Sequence, residues 1–170
     1  MDLVQTGGAP QFRGEDITVD APEAIVSGET ATVTVTINNT GTAAWDLDAT
    51  RIGTQDPQDR DSALFVDGDW VSPSRATAVD ARTEPATPGT FTFQIRGPEV
   101  TEPIVFDESF GFVQEDVAWF GPTFHVILQV QPPAVVEEPA GCNAGRSGSS
   151  GLAGTLLALV AIVRRRRRRR

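Results

Sequence analysis

From Ala31 to Asn38 the chain alternates without a break: Ala31, Val33, Val35 and Ile37 on one parity, Thr32, Thr34, Thr36 and Asn38 on the other. A period of two sends successive side chains to opposite faces of a pleated strand, so one face is apolar and must be covered by a second layer. The β-branched residues reinforce this, because they lose side-chain freedom in a helix. The same signature returns later. Phe91, Phe93 and Ile95 alternate with Thr92, Gln94 and Arg96 after a turn signal at Pro88-Gly89; Phe106, Phe110 and Phe112 share one parity; Phe124, Val126, Leu128 and Val130 share another. No window of about eleven residues ahead of the C-terminal tail carries a 3.6 period.

Short strands at this spacing predict an all-β fold: an immunoglobulin-like antiparallel β-sandwich of about seven strands over 15–131. Asn38-Asn39-Thr40-Gly41 has turn chemistry, and Trp45 and Leu47, with Asp46 and Asp48 between and after them, open a further strand, so a hairpin is expected there. The stretch 53–87, rich in Asp, Pro, Ser and Arg, is too long for a structureless loop and is expected to hold short strands near Ala63 to Val66 and Ala76 to Val79. The remaining organisation is a disordered segment at 1–14, a linker at 132–151 that runs from Pro/Glu to Gly/Ser and contains Cys142, a hydrophobic anchor at 152–163 forming a short helix, and an arginine cluster at 164–170. Gln131 to Ala140 is a semi-extended spacer, and at about 3.1 Å per residue it spans roughly 30 Å.

Charge separates the chain into two parts. Of 170 residues 23 are acidic and 14 basic, all of the latter arginine. Seven of those arginines are Arg164, Arg165, Arg166, Arg167, Arg168, Arg169 and Arg170, so the rest of the chain holds seven against 23, a net of −16. An acidic, lysine-free body argues against nucleic acid as a partner. The single cysteine excludes an internal disulfide, so packing alone holds the fold.

The tail reads as an address. Gly141-Cys142 is followed by small residues, by the uncharged apolar run Leu152 to Val163, and then by the arginines. Arginines directly behind an apolar run stay on the cytoplasmic side, since moving them through hydrocarbon is very costly. Leu152 to Val163 makes only about 18 Å of helix, and Ser147 to Val163 about 25 Å, against a hydrocarbon core of about 30 Å. A processed signal therefore fits better than a permanent span, with Cys142 at the boundary as the residue open to a peptidase or an acyltransferase. No basic n-region or apolar h-region lies between Met1 and Pro22, and the expectation is a true start upstream of Met1.

Catalytic chemistry is thinly supplied. His125 is the only histidine and is out of phase with Phe124, Val126 and Leu128, which places it on the outer face of the last strand. Asp46, Asp48, Asp56, Asp59, Asp61, Asp67 and Asp69 crowd one stretch, but the spacing lacks the closing glutamate of a calcium loop and reads as solvated loops. No cofactor or metal is expected. Trp45, Phe91, Phe93 and Phe112 are in phase with strand interiors and belong to the core. Trp70, Trp119 and Phe120 lie at strand edges or loops; they are the best candidates for an exposed contact surface, although core packing is the favoured reading for them.

Two resemblances follow. Gly-Cys, small residues, a short apolar run and an Arg cluster resemble the myxobacterial C-terminal sorting tail known as MYXO-CTERM. That implies display on a bacterial cell surface or outer envelope, a sorting peptidase or lipidation machinery acting at Gly141-Cys142, and a cytoplasmic arginine stop before processing. The body is similar to the four-tryptophan, immunoglobulin-like central domain of the autophagy cargo receptor family, whose bacterial relatives accompany extracellular proteins and cell-wall amidases. The matching stretches are Asn39-Thr40-Gly41 through Trp45, Arg60-Asp61-Ser62 through Asp69-Trp70-Val71-Ser72-Pro73-Ser74-Arg75, Pro88-Gly89-Thr90-Phe91-Thr92-Phe93, and Glu108-Ser109-Phe110 through Trp119-Phe120-Gly121. With three tryptophans and Phe110 at an aromatic position usually filled by the fourth, the resemblance implies the fold and not a binding surface. Two functions are thereby expected. One is a non-enzymatic binding or spacer module for a protein or cell-wall ligand, attached to the membrane through its tail. The other is the C-terminal accessory domain of an amidase-type cell-wall hydrolase whose catalytic part precedes this chain.

Overall fold

The structure is a computed structural model that describes residues 11–134. Eight strands follow one another: β1 (Gly14–Asp20), β2 (Ala24–Val26), β3 (Thr30–Asn39), β4 (Thr50–Thr54), β5 (Arg75–Ala78), β6 (Pro88–Arg96), β7 (Ile104–Gln114) and β8 (Ala118–Gln131). They form a three-stranded sheet in the order β1-β3-β6 and a five-stranded sheet in the order β2-β8-β7-β4-β5. The all-β, two-sheet expectation is met. Two details differ from it: there are eight strands, and β2 runs parallel to β8 in an otherwise antiparallel arrangement.

The core lies where the alternation places it. Val33, Val35 and Ile37 of β3 are fully buried, and across the ladder Val33 meets Phe93 and Val35 meets Phe91. Those phenylalanines reach into the other sheet, with ring centroids 5.4 Å apart for Phe91 and Phe112 and 5.8 Å for Phe93 and Phe110. Each such side chain contributes about 1.5–3 kcal/mol by leaving water. In β8 the register against β7 shifts between Phe124, opposite Phe110, and Phe120, opposite Phe112. Gly121, at φ 70°, turns the chain there, and both rings reach the aromatic cluster.

Three expectations are corrected. Asn38 to Gly41 does not close a hairpin: β3 and β4 lie in different sheets, and Trp45 touches backbone only through an isolated bridge to Thr83. The reason is Asn39, whose buried amide nitrogen donates to the carbonyls of Ala43 (2.9 Å) and Thr83 (3.2 Å) and whose oxygen accepts from Gly41 N (3.1 Å). Side-chain bonds of this kind compete with a ladder and send the chain across to the other layer. Ala63 to Val66 is a turn that buries Leu64, not a strand, whereas β5 lies where Ala76 to Val79 was expected. Residues 11–14, placed in the disordered segment by sequence, are part of the fold. Gln11 O accepts from Thr42 N and Ala43 N, the Phe12 ring lies 6.1 Å from Phe120, and Gly14 starts β1.

Candidate functional site

Of the three aromatic candidates for a surface, Trp70 follows the core reading favoured for it, being 6 % exposed. Its ring meets Phe65, Phe93 and Phe110 edge-on at centroid distances of 5.9, 5.8 and 6.0 Å. The physical reason lies in the edge of the three-stranded sheet. β6 has no strand on its outer side, and five of its outward backbone groups are closed one at a time. Asp80 N donates to Thr90 O (2.8 Å), and the Asp80 carboxylate accepts from Thr92 N (3.0 Å) and from Thr92 Oγ1 (2.8 Å). Asp69 Oδ2 accepts from Gln94 N (2.9 Å), Trp70 Nε1 donates to Gln94 O (2.6 Å), and Leu64 O accepts from Arg96 N (3.1 Å). Asp69 and Trp70 thus straddle one residue of β6, one taking its proton and the other giving to its carbonyl.

Trp119 is half-buried on the outer face of the five-stranded sheet. It is opposite Val113 in the ladder and crosses Gly53, where a Cβ would stand 2.7 Å from the indole. The Arg75 guanidinium carbon lies 5.2 Å from the indole centroid, within cation–π range. Arg75 also holds Glu115 Oε1 at 2.8 Å and pairs with Asp59. Burial lowers the Arg75 pKa, and hydrogen bonds and charge from Glu115 and Asp59 outweigh it, so the net direction is upward and the group stays charged. Phe120 is also half-buried, at 5.4 Å from Trp45 and 6.0 Å from Phe112. Neither ring is a free surface aromatic; both are half-buried at the end of the sandwich where β8 begins.

That end gathers four segments. Gly14 is opposite Asn39, Asn38 is opposite Pro88, Thr50 is opposite Gln114, and Glu115 N donates to Ala49 O (2.8 Å). Residues 11–13, 40–49, 81–87 and 115–117 therefore meet there. Leu47 and Val117 are exposed on it, at 48 % and 63 %. Arg82 pairs with Glu84 (2.8 Å) and with Asp46 on the same loops. β8 starts at this end and reaches Gln131 at the opposite one, from which the chain continues toward its tail.

His125 is exposed on the outer face, as its phase predicts, with Nδ1 2.6 Å from Asp107 Oδ1. Directly opposite it on β7 is Ser109, which gives serine, histidine and aspartate on adjoining strands. The serine hydroxyl donates to Asp56 Oδ2 at 2.9 Å, so its proton is not held by the imidazole. Nucleophilic catalysis needs the base on that proton. Residue phase also missed Glu108, which accepts from Arg60 (2.7 Å) and Ser62 (2.8 Å) and ties the 55–74 segment to β7. Its signal was present in the sequence: Glu108 shares the inward parity of Phe106, Phe110 and Phe112, and an inward carboxylate requires partners. The aspartates expected in solvated loops are partly structural, with Asp56, Asp59 and Asp69 each holding an internal partner. Gly141, Cys142, the anchor run and Arg164 to Arg170 lie outside the described residues.

No family model matches the chain, and no curated protein does. Among solved structures, a Niemann-Pick type C2 protein from Japanese carpenter ant is similar at 9 % identity, covering 73 % of this chain and 96 % of that chain with a TM-score of 0.42. A family 123 glycoside hydrolase from Clostridium perfringens is similar at 6 % identity over 69 % of this chain and 27 % of that one, TM-score 0.36. The ASH / PapD-like domain 7 of human CEP192 is similar at 14 % identity over 78 % and 94 %, TM-score 0.34. TM-scores this low transfer neither a family nor an activity.

Proposed function

We propose that this chain is a non-enzymatic, immunoglobulin-like module displayed on a bacterial cell surface and delivered there by a C-terminal sorting tail. One observation carries the reading: the order in the sequence of Gly141-Cys142, small residues, the apolar run Leu152 to Val163, then Arg164 to Arg170. The strand order supports the immunoglobulin-like part. After Ala21-Pro22, where a proline cannot continue the β1 ladder, the chain leaves the three-stranded sheet and β2 joins β8 in parallel, so the first strand is shared between both layers. The occupied serine hydroxyl and the Asp107-paired histidine support a non-enzymatic role.

The contact surface in this reading is the end that carries exposed Leu47 and Val117 and half-buried Trp119, because the chain departs for its tail from the opposite end. Its partner is a protein or cell-wall component met outside the cell. Fractionation of the protein expressed from its native locus, with any upstream coding sequence intact, tests the display reading directly: wild type reaches the envelope with its tail processed, and Cys142→Ala stays unprocessed. If both variants remain in the cytoplasm with intact tails, the proposal fails.

A further inference from the structure

When glycine follows aspartate, its backbone nitrogen can attack the aspartate side-chain carbonyl, because a residue without a Cβ leaves that approach open. Asp67-Gly68 is the one Asp-Gly step in the 170 residues. It forms the tip of the turn that Asp69 N closes onto Val66 O (3.3 Å), with Gly68 at φ 81°, a value that favours glycine. Both residues are exposed, and a Cβ placed on Gly68 would meet no atom within 4 Å. Among the described residues Gly68 N donates to no acceptor, and the Asp67 carboxylate holds no partner. Three aspartates of the same region each lack a condition. Ser62 N, after Asp61, donates to Pro73 O (3.0 Å), and Trp70 N, after Asp69, donates to Val66 O (3.1 Å). Pro57, after Asp56, has no N–H to attack with.

We infer that Asp67-Gly68 is a site of spontaneous isomerisation through a succinimide, and that the product loosens the hold of Asp69 on β6. With the Asp67 carboxyl protonated, the bond from Gly68 N to Asp67 Cγ forms and the Cγ–OH bond breaks. The hydroxyl leaves with the amide proton as one water. A second water then opens the ring at either carbonyl. Opening at Cγ restores aspartate; opening at the main-chain carbonyl leaves isoaspartate, whose main chain runs through Cβ and Cγ and is one methylene longer. Composition is unchanged overall, and no oxidant, reductant or enzyme is required. The added methylene falls in a segment pinned on both sides. Val66 packs against the core, and Trp70 is buried with Nε1 on Gln94 O (2.6 Å). Asp69, between them, accepts from Gln94 N (2.9 Å). A turn with both ends fixed takes up an extra atom only by moving what lies between, and Asp69 is exposed and moves first.

The test holds the full chain, in mild detergent at mildly acidic pH, in water labelled with heavy oxygen; the protein is then returned to ordinary water, digested and mapped by mass spectrometry. Asp67 gains heavy oxygen, and its peptide splits into two chromatographic forms, one of which accepts a methyl group from an isoaspartyl methyltransferase. The site needs no opening of the fold, so conversion in the folded chain runs at no less than about one tenth of its rate in a synthetic peptide of residues 62–73. Asp67→Glu keeps the charge but would have to close a larger ring, and it gains no label at that position. Hydrogen exchange on the aged protein reads the consequence: the Gln94 amide exchanges at least about tenfold faster in the isomerised fraction than in the fresh chain, while the Val126 amide in the middle of β8 is unchanged. An unlabelled Asp67, a folded-chain rate below that bound, or equal labelling of Asp67→Glu overturns the site. A Gln94 amide equally protected in both fractions overturns the loosening of β6.

Discussion

Gly53 is small because Trp119 lies across it. A methyl group there stands 2.7 Å from the indole and 3.0 Å from an Arg75 nitrogen, so Gly53→Ala lifts the ring off the sheet. The expected cost is about 1–3 kcal/mol, typical of an overpacked site, read by urea denaturation together with a red-shifted tryptophan emission. Trp70→Phe keeps most of the aromatic packing but leaves the Gln94 carbonyl without its donor, and about 1–3 kcal/mol of lost stability is expected. Trp45 makes the opposite case. It is fully buried, yet its Nε1 has no partner, so Trp45→Phe removes an unsatisfied donor along with some packing. Its loss of stability is expected to be smaller than that of Trp70→Phe in the same assay. From sequence Trp45 is in phase with a strand interior, whereas Trp70 sits at a strand edge or loop, a surface candidate for which core packing is nevertheless favoured; both prove buried. The missing information was the bond to Gln94, which no local pattern encodes.

At the scale of the element, the 55–74 segment depends on one inward acid. Glu108→Gln retains an oxygen for Ser62 and loses the charge opposite Arg60, whose side chain is 23 % exposed and therefore partly screened. A loss of about 1–3 kcal/mol is expected, below that of a fully buried pair. The segment should also become more sensitive to protease before the rest of the sandwich does, and limited proteolysis checks this. The strands themselves were legible wherever alternation was strict: β3, β6 and β8 fall where Val33-Val35-Ile37, Phe91-Phe93-Ile95 and Phe124-Val126-Leu128-Val130 place them. The hairpin after β3 failed because Asn39 spends its amide on Ala43 and Thr83 instead of on a turn. Turn composition records which residues can bend; it does not record which layer the next strand joins.

At the scale of the whole molecule, the acidic stretch from Asp46 to Asp69 is mostly occupied from within. Asp46, Asp56, Asp59 and Asp69 serve Arg82, Ser109, Arg75 and Gln94 in turn. A calcium titration of the full chain is expected to leave the melting temperature unchanged, since a cation that bound the native state would raise it. At the loop end, Val117→Asp is expected to stay within about 0.5 kcal/mol of wild type, because the side chain is already in water, while weakening capture by an envelope fraction. The period of two, the parity of the phenylalanines and the missing helical period determined by themselves that this body is built from strands around an aromatic core, because periodicity is a local property of consecutive side chains. Which strands became neighbours, that Trp70 and Asp69 guard β6, and that Ser109 gives its proton to Asp56 were decided by the tertiary structure. Those partners are distant in sequence and meet only after the two sheets have packed.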